Sequence, residues 1–320
     1  MERAPGAGRR RTAGTVRHLV HRPRSWLHPV AAAPDVEEEF VLAGELADGL
    51  GPFGERAGRH HDLRSAAEMV REAGEFIGHT HFGVPAARVG VFYRFDLRAD
   101  DVAPWRVRSA PAPLDLHLRV RPDKVVDGVP RVLEFAIAPR IDDVPCGSGS
   151  ASVVFLAPTV HRGHRERSRA ALAAAADAAS ATRTAPGPGA RVAPADVGRH
   201  LVGDVLLRRP VTPCPGQLAV DVALPPSTVP AHALLLEAVR QTALLTAWRA
   251  YALKPAHSTL GALRVHFRGY ADPELPMRCT AVWDRLGKDA DGRRLTPVTL
   301  SLVQAGSAVL EATASVVEDL

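Results

Sequence analysis

At 320 residues the chain is long enough for two domains of ordinary size. Its 46% hydrophobic content can fill real cores, which excludes a disordered chain, and with only 5% aromatics those cores must rest on Leu, Val and Ala. A net charge of +5 favours acidic partners, but the arginines are scattered rather than interleaved with aromatics, which argues against a nucleic-acid-binding module.

The first residues, MERAPGAGRRRTAG, are basic and have no apolar core, unlike a secretory signal. No run approaches the ~18 apolar residues of a membrane span. The expectation is a cytoplasmic protein without membrane association. Cys146, Cys214 and Cys279 are far apart and lack CxxC spacing. That pattern fits a reducing compartment rather than a disulfide framework or structural zinc.

VRHLV at Val16–Val20 is the first element of an internal repeat, returning as GRHLV at Gly198–Val202. Next comes SAAEMVREAGEFIG, whose periodicity predicts a helix too apolar for the surface. It carries Glu68 and Arg71 three residues apart, hence on one face. The helix ends near His79 and His81, where pairing with the helix C-terminus is a simpler role than metal ligation. FYRFDLRAD follows, then LDLHLRV and RVLEFAIAP, alternating strands joined by a VDGVP turn.

Residues 166–192 read as a linker between domains at 12–165 and 193–320. Its Ala-rich part can form a short helix and its PGPG cannot continue one.

In the second half, LLLEAVRQTALLTAW (Leu234–Trp248) is apolar round nearly its whole circumference and predicts a buried helix. Glu237 and Arg240 repeat the spacing of Glu68 and Arg71. Buried charges of this kind must be paired or used. RVHFRGYAD then matches FYRFDLRAD, and three further alternating segments follow, with a turn at Asp289–Gly292. Three ordered matches at an offset of about 170–180 residues indicate a duplication. Each copy is a lead-in strand, an apolar helix and an antiparallel meander. The expected fold is α+β: a double hotdog, two antiparallel sheets each wrapping a central helix.

Several of these segments resemble the A-factor synthase (AfsA-like) family: LVHRP, HDLRSAAEMVREAGEFIGHTHFGVP, VGRHLVGDVLL and VPAHALLLEAVRQTA. The resemblance runs from about Thr15 to Leu320. It implies a tandem hotdog acyltransferase of γ-butyrolactone signal biosynthesis, moving a β-ketoacyl group from an acyl carrier protein or acyl-CoA thioester to the hydroxyl of dihydroxyacetone phosphate, a phosphorylated three-carbon acceptor. The chain departs from the family pattern at Ser227–His232, where members usually carry Asp-His before Val-Pro-Gly-Met. It also has Leu63 where Pro is usual and Glu72 where Gln is usual.

The resemblance also places the thioester at the N-terminus of each central helix, where free backbone N–H groups polarise a carbonyl. Glu68 is then the first choice of general base, if burial raises its pKa, with Glu237 in the same role in the second copy. The alternative for each is a salt bridge to its own arginine. Arg71 and Arg240 suit a phosphate, or else neutralise those glutamates. His61 is a candidate acid, base or orienting group. Asp62 and His232 flank the substrate; the alternative for Asp62, more than for His61, is that it serves as N-cap acceptor of its helix.

No dinucleotide, phosphate-loop, nucleophile-elbow or zinc-protease motif occurs, so no cofactor and no metal are expected. The rivals are a hotdog thioesterase or dehydratase, and a non-catalytic acyl-binding or carrier-docking module. A tandem pair can satisfy the hotdog dimer interface internally, so a monomer or a homodimer is expected.

Overall fold

A computed structural model describes residues 18–22, 37–46, 58–108, 111–180, 189–225, 230–273 and 275–320. The first copy contributes β1 (His18–Arg22), β2 (Glu38–Leu46), α1 (Arg64–His81), β3 (Val89–Ala99), β4 (Ala112–Val126), β5 (Val129–Ile141), β6 (Val144–Pro145) and β7 (Gly147–Leu156). A connecting helix α2 (Pro158–Ser180) follows. The second copy contributes β8 (Leu207–Cys214), β9 (Gln217–Val222), α3 (Ala231–Tyr251), β10 (Ser258–Phe267), β11 (Met277–Trp283), β12 (Gly287–Lys288), β13 (Arg294–Gln304) and β14 (Ser307–Glu318).

All the pairings are antiparallel and form one 14-stranded sheet among the described residues, in the order β1-β2-β4-β5-β7-β3-β10-β14-β13-β11-β9-β8, with β6 and β12 off this path. The halves meet where β3 runs against β10, Phe95 opposite Val265. These are the two strands that carry the matched FYRFDLRAD and RVHFRGYAD segments. Period-2 burial explains the sheet: Ala112, Leu114, Leu116, Leu118 and Val120 of β4 all point inward. The β4–β5 hairpin turns on Asp127 and Gly128, both at positive φ, the backbone of a type I′ turn whose second position suits glycine.

α1 packs against β2, β3, β5 and β7, and α3 against β11, β13 and β14, giving a helix against the sheet of each half, the double hotdog arrangement. α3 is buried as its composition predicts, Leu234 to Ala247 being covered apart from Arg240. Its Thr242 and Thr246 are tolerated because each hydroxyl donates 2.7 Å back to the carbonyl four residues earlier.

α1 corrects an expectation. It is buried on one face only, through Ala66, Met69, Val70, Ala73, Gly74 and Ile77, and leaves Phe76 and Glu75 exposed. The charged residues Arg64, Glu68, Arg71, Glu72 and Glu75 make it an amphipathic helix rather than an all-round apolar one.

α1 approaches β7 most closely at Gly78, where an added Cβ would lie 2.2 Å from the ring tip of the buried Phe155. Gly78→Ala gains about 1 kcal/mol of helix propensity, but overpacking costs about 1–3 kcal/mol. The expected result is a net loss in urea unfolding, and equal or greater stability would overturn this account of the contact.

Among the described residues no helix is long and apolar enough to cross a membrane.

Candidate active site

The N-termini of α1 and α3 face each other, and their charged side chains cross over. Arg64, at the start of α1, reaches Glu237 of α3, Nη1 to Oε2 at 2.6 Å. His232, at the start of α3, reaches Glu68 of α1, Nε2 to Oε1 at 2.9 Å. The duplicated Glu–Arg pairs also form within each helix: Arg71 Nε donates to Glu68 at 3.0 Å, and Arg240 Nε to Glu237 at 3.0 Å. The two halves of the site are thus related by pseudo-symmetry, yet they differ in one respect. One glutamate is met by an arginine, which never gives up its proton, and the other by a histidine, which can.

Glu237 is fully buried and saturated. Its Oε1 accepts from Arg199 Nε (2.9 Å), Arg240 Nη2 (2.9 Å) and Gln241 Nε2 (2.6 Å). Its Oε2 meets Arg199 Nη2 at 2.8 Å in addition to Arg64 and Arg240 Nε. Burial alone would raise its pKa, but the charges of Arg240, Arg64 and Arg199 outweigh it and hold the carboxyl well below its ordinary 4.5. Gln241 also links the cluster to the backbone, accepting from Leu206 N and donating to the Asp204 carbonyl. Arg240 donates to the Val197 carbonyl at 3.0 Å as well, so its donors are turned inward.

Asp62 stands one residue before Leu63, the N-cap of α1, which makes no side-chain capping bond, so the expected N-cap role falls one position away; Asp62 meets the first helical residue instead. Its Oδ1 accepts from Arg64 N at 2.9 Å and its Oδ2 from Arg64 Nε at 2.7 Å, while Arg240 Nε stands 3.7 Å away. Burial works to raise its pKa, and the two arginines lower it below 3.8. His61 is buried, its backbone N donating to the Trp105 carbonyl at 2.6 Å. This loop is clasped by the chain's last residues: Asp319 receives both Arg106 Nε and Nη2 at 2.7 Å and lies 2.9 Å from His60 Nε2.

Glu68 behaves differently from the expected base. Burial pushes its pKa up, but the hydrogen bond and charge of His232, with Arg71 behind them, bring it below 4.5. It is therefore a standing carboxylate that orients His232 rather than a carboxyl poised near neutrality.

A cavity of about 530 Å³ opens beside this pair. His232 and Arg71 line it, together with the apolar Phe92, Val153, Leu235 and Phe267. Ala231 of the first turn of α3 lines it too, which brings the positive end of that helix to the cavity wall. Glu68, His61, Asp62, Glu237 and Arg240 are not among its lining residues.

The structure thus gathers all seven candidates near the two helix starts: Arg71 and His232 line the cavity, Glu68 is bonded to both of them from behind its wall, and the other four lie further from it. Sequence reasoning misses Arg64, Arg199 and Gln241 as members of this cluster. Arg199 stands in the repeated GRHLV segment and Gln241 interrupts the apolar helix, so both leave a trace in the sequence; the reach of Arg64 to the other helix does not. Ser227 and Thr228 lie outside the described residues.

Burial pushes the Cys146 and Cys279 thiols up to about 12, leaving neither a thiolate nucleophile. Among the described residues no group of three or more metal-ligating side chains comes together.

No family model matches the chain, and no curated protein matches it. Solved structures do. A Lactobacillus plantarum protein assigned as an oleoyl thioesterase superposes with a TM-score of 0.50 at 7% identity, over 88% of this chain and 97% of that one. The tesB protein of Mycobacterium avium subspecies paratuberculosis gives 0.46 at 13% identity, over 88% and 93%. The dehydratase domain from the terminal module of the rifamycin polyketide synthase gives 0.43 at 14%, over 89% and 93%. The fold is a double hotdog. At these identities the likeness extends to architecture alone.

Proposed function

We propose that this chain is an acyl-thioester enzyme of the thioesterase or dehydratase kind, with His232 as the proton-transferring residue and Glu68 as its orienting carboxylate. The observation that carries the reading is the 2.9 Å contact to Glu68 made by His232, which lines a cavity that has an apolar side at Phe92, Val153, Leu235 and Phe267. With the Glu68 carboxylate accepting from Nε2–H, a neutral His232 presents Nδ1 as its acceptor. Arg71, the second donor to Glu68, keeps that carboxylate ionised so that it stabilises the imidazolium once formed. In hydrolysis, His232 takes a proton from water as the water oxygen attacks the thioester carbon. The C–S bond then breaks and the proton passes to the departing thiolate. In dehydration the same nitrogen takes the proton α to the carbonyl and delivers it to the β-hydroxyl as the C–O bond breaks, so that the hydroxyl leaves as water. The first turn of α3 supports the developing oxyanion through its dipole. Glu237, with all its lone pairs engaged, serves the fold, and so do Asp62, Arg240 and His61 around it. The assignment of the Lactobacillus plantarum protein as an oleoyl thioesterase agrees with this reading.

A second reading, transfer of the acyl group to a phosphorylated hydroxyl acceptor as in A-factor synthesis, is favoured by Arg71, a guanidinium on the cavity wall beside His232. One panel separates the readings: acyl-CoA and 3-hydroxyacyl-CoA substrates, with and without dihydroxyacetone phosphate. The expected result is thiol release or enoyl formation without the acceptor. Ester formation seen by mass spectrometry only when the acceptor is present would favour transfer. Binding of every substrate with no turnover would leave an acyl-binding module.

A further inference from the structure

Helix α2 connects the halves and covers one side of the cavity. Ser168 and the buried Leu172 face in, and His161 stacks edge-on to Tyr270 with ring centroids 5.6 Å apart. Arg165 and Arg169, one turn apart, both line this cavity and also a second recess of about 370 Å³ near Val89, whose wall further holds Arg162 and Glu166. Neither guanidinium has a carboxylate within ion-pair distance among the described residues, although Arg71, Arg64, Arg199 and Arg240 all do. Arg165 rests instead over the Tyr270 ring at 5.8 Å. The acids that share the cavity wall are Glu75, which accepts from Gly90 N at 3.1 Å, and Asp272. His161 is held below 6.5, by burial first and then by Arg165 and His164.

We infer that Arg165 and Arg169 of α2 form a phosphate-binding subsite at the mouth of the cavity. Side chains four residues apart on a helix stand about 5–6 Å apart at Cβ, close enough for both guanidinium forks to share one phosphate group. An acyl chain would then lie along Phe92, Val153 and Leu235 with its reacting carbonyl toward His232, and the phosphate would be held by α2. That phosphate has two possible sources: the pantetheine arm that carries a thioester, or a phosphorylated acceptor. The inference extends the acyl-thioester reading of the cavity, but it is tested by binding, without turnover.

The experiment compares calorimetric Kd values of the full-length protein for 4′-phosphopantetheine against pantetheine, and for glycerol 3-phosphate against glycerol. The expected result is a phosphorylated ligand bound at least about tenfold tighter than its dephospho partner, a preference of roughly 1.4 kcal/mol. That preference should be lost in R165A/R169A, with circular dichroism unchanged, and kept in R167A, whose side chain lines neither recess. Preference within the first pair alone assigns the phosphate to the carrier arm, and preference within the second alone assigns it to the acceptor. No preference in the wild type, an unchanged preference in R165A/R169A, or equal losses in R167A would overturn the subsite. Inactive protein with phosphate preference intact would count against the catalytic reading only.

Discussion

Glu237→Gln is expected to cost about 3–5 kcal/mol of folding stability, the scale seen when one partner of a buried ion pair is removed. The reason lies in what remains. Arg199 is 5% exposed and pairs with Glu237, while Arg64 reaches its Oε2 and Arg240 both of its oxygens. A glutamine supplies one acceptor where there were two, and turns an N–H₂ group toward three guanidinium donors. The cation left in the interior, rather than the lost attraction, sets the cost. Guanidinium chloride unfolding at pH 7 measures it, and a loss under about 1 kcal/mol would show the cluster to be well solvated. Adding Arg199→Met to Glu237→Gln should recover part of the loss, because the most buried cation goes with its partner.

The same cluster fixes how stability depends on pH. The Glu237 carboxyl is lowered well below 4.5 by Arg240, Arg64 and Arg199 despite its burial, and Glu68 is lowered below 4.5 and Asp62 below 3.8 by their own partners. A depressed carboxyl contributes stability that is fully present above its unfolded value, and that is lost as pH falls toward its folded value. Stability should therefore hold from neutrality down to about pH 5 and fall steeply below about 4.5. In Glu237→Gln the decline below that point should be shallower, since the largest contributor no longer titrates.

Much of this architecture is legible in the sequence, and the parts that are not share a cause. Strand alternation in β4, β5, β13 and β14 writes burial directly into residue order, and the apolar run of α3 does the same for a helix. The duplicated Glu–Arg pairs are visible because a spacing of three is local. What spacing within one helix cannot show is a partner on another element. Arg64 stands four residues before Glu68, where helix geometry suggests a pair between them, yet its guanidinium bridges to Glu237. His232 equally serves a glutamate 164 residues away. The sign of the Glu68 shift is hidden for the same reason: burial is readable from composition, whereas the hydrogen-bond partner that does most to offset it comes from the other half of the chain.

His232→Ala should lower kcat on an acyl thioester by about 10²–10⁴-fold, the usual worth of a positioned proton-transferring group. KM should change little, because the cavity is walled mainly by other residues. Glu68→Gln should lower kcat as well, by a smaller factor. A glutamine at the 2.9 Å position can still hold the imidazole by hydrogen bonding but no longer carries the charge that stabilises imidazolium. The two effects belong to one unit, so the double variant should be scarcely slower than His232→Ala alone. That non-additivity separates a dyad from two independent contributions, and multiplicative losses would break the pair apart. Glu68 is also bonded to Arg71, so part of any loss in its variant can arise from a displaced arginine. Arg71→Lys supplies the control: it keeps a positive charge beside Glu68 while removing the guanidinium fork. Should Arg71→Lys match the Glu68→Gln loss while His232→Ala retains full turnover, the chemistry would lie with the arginine, and histidine would be only its neighbour.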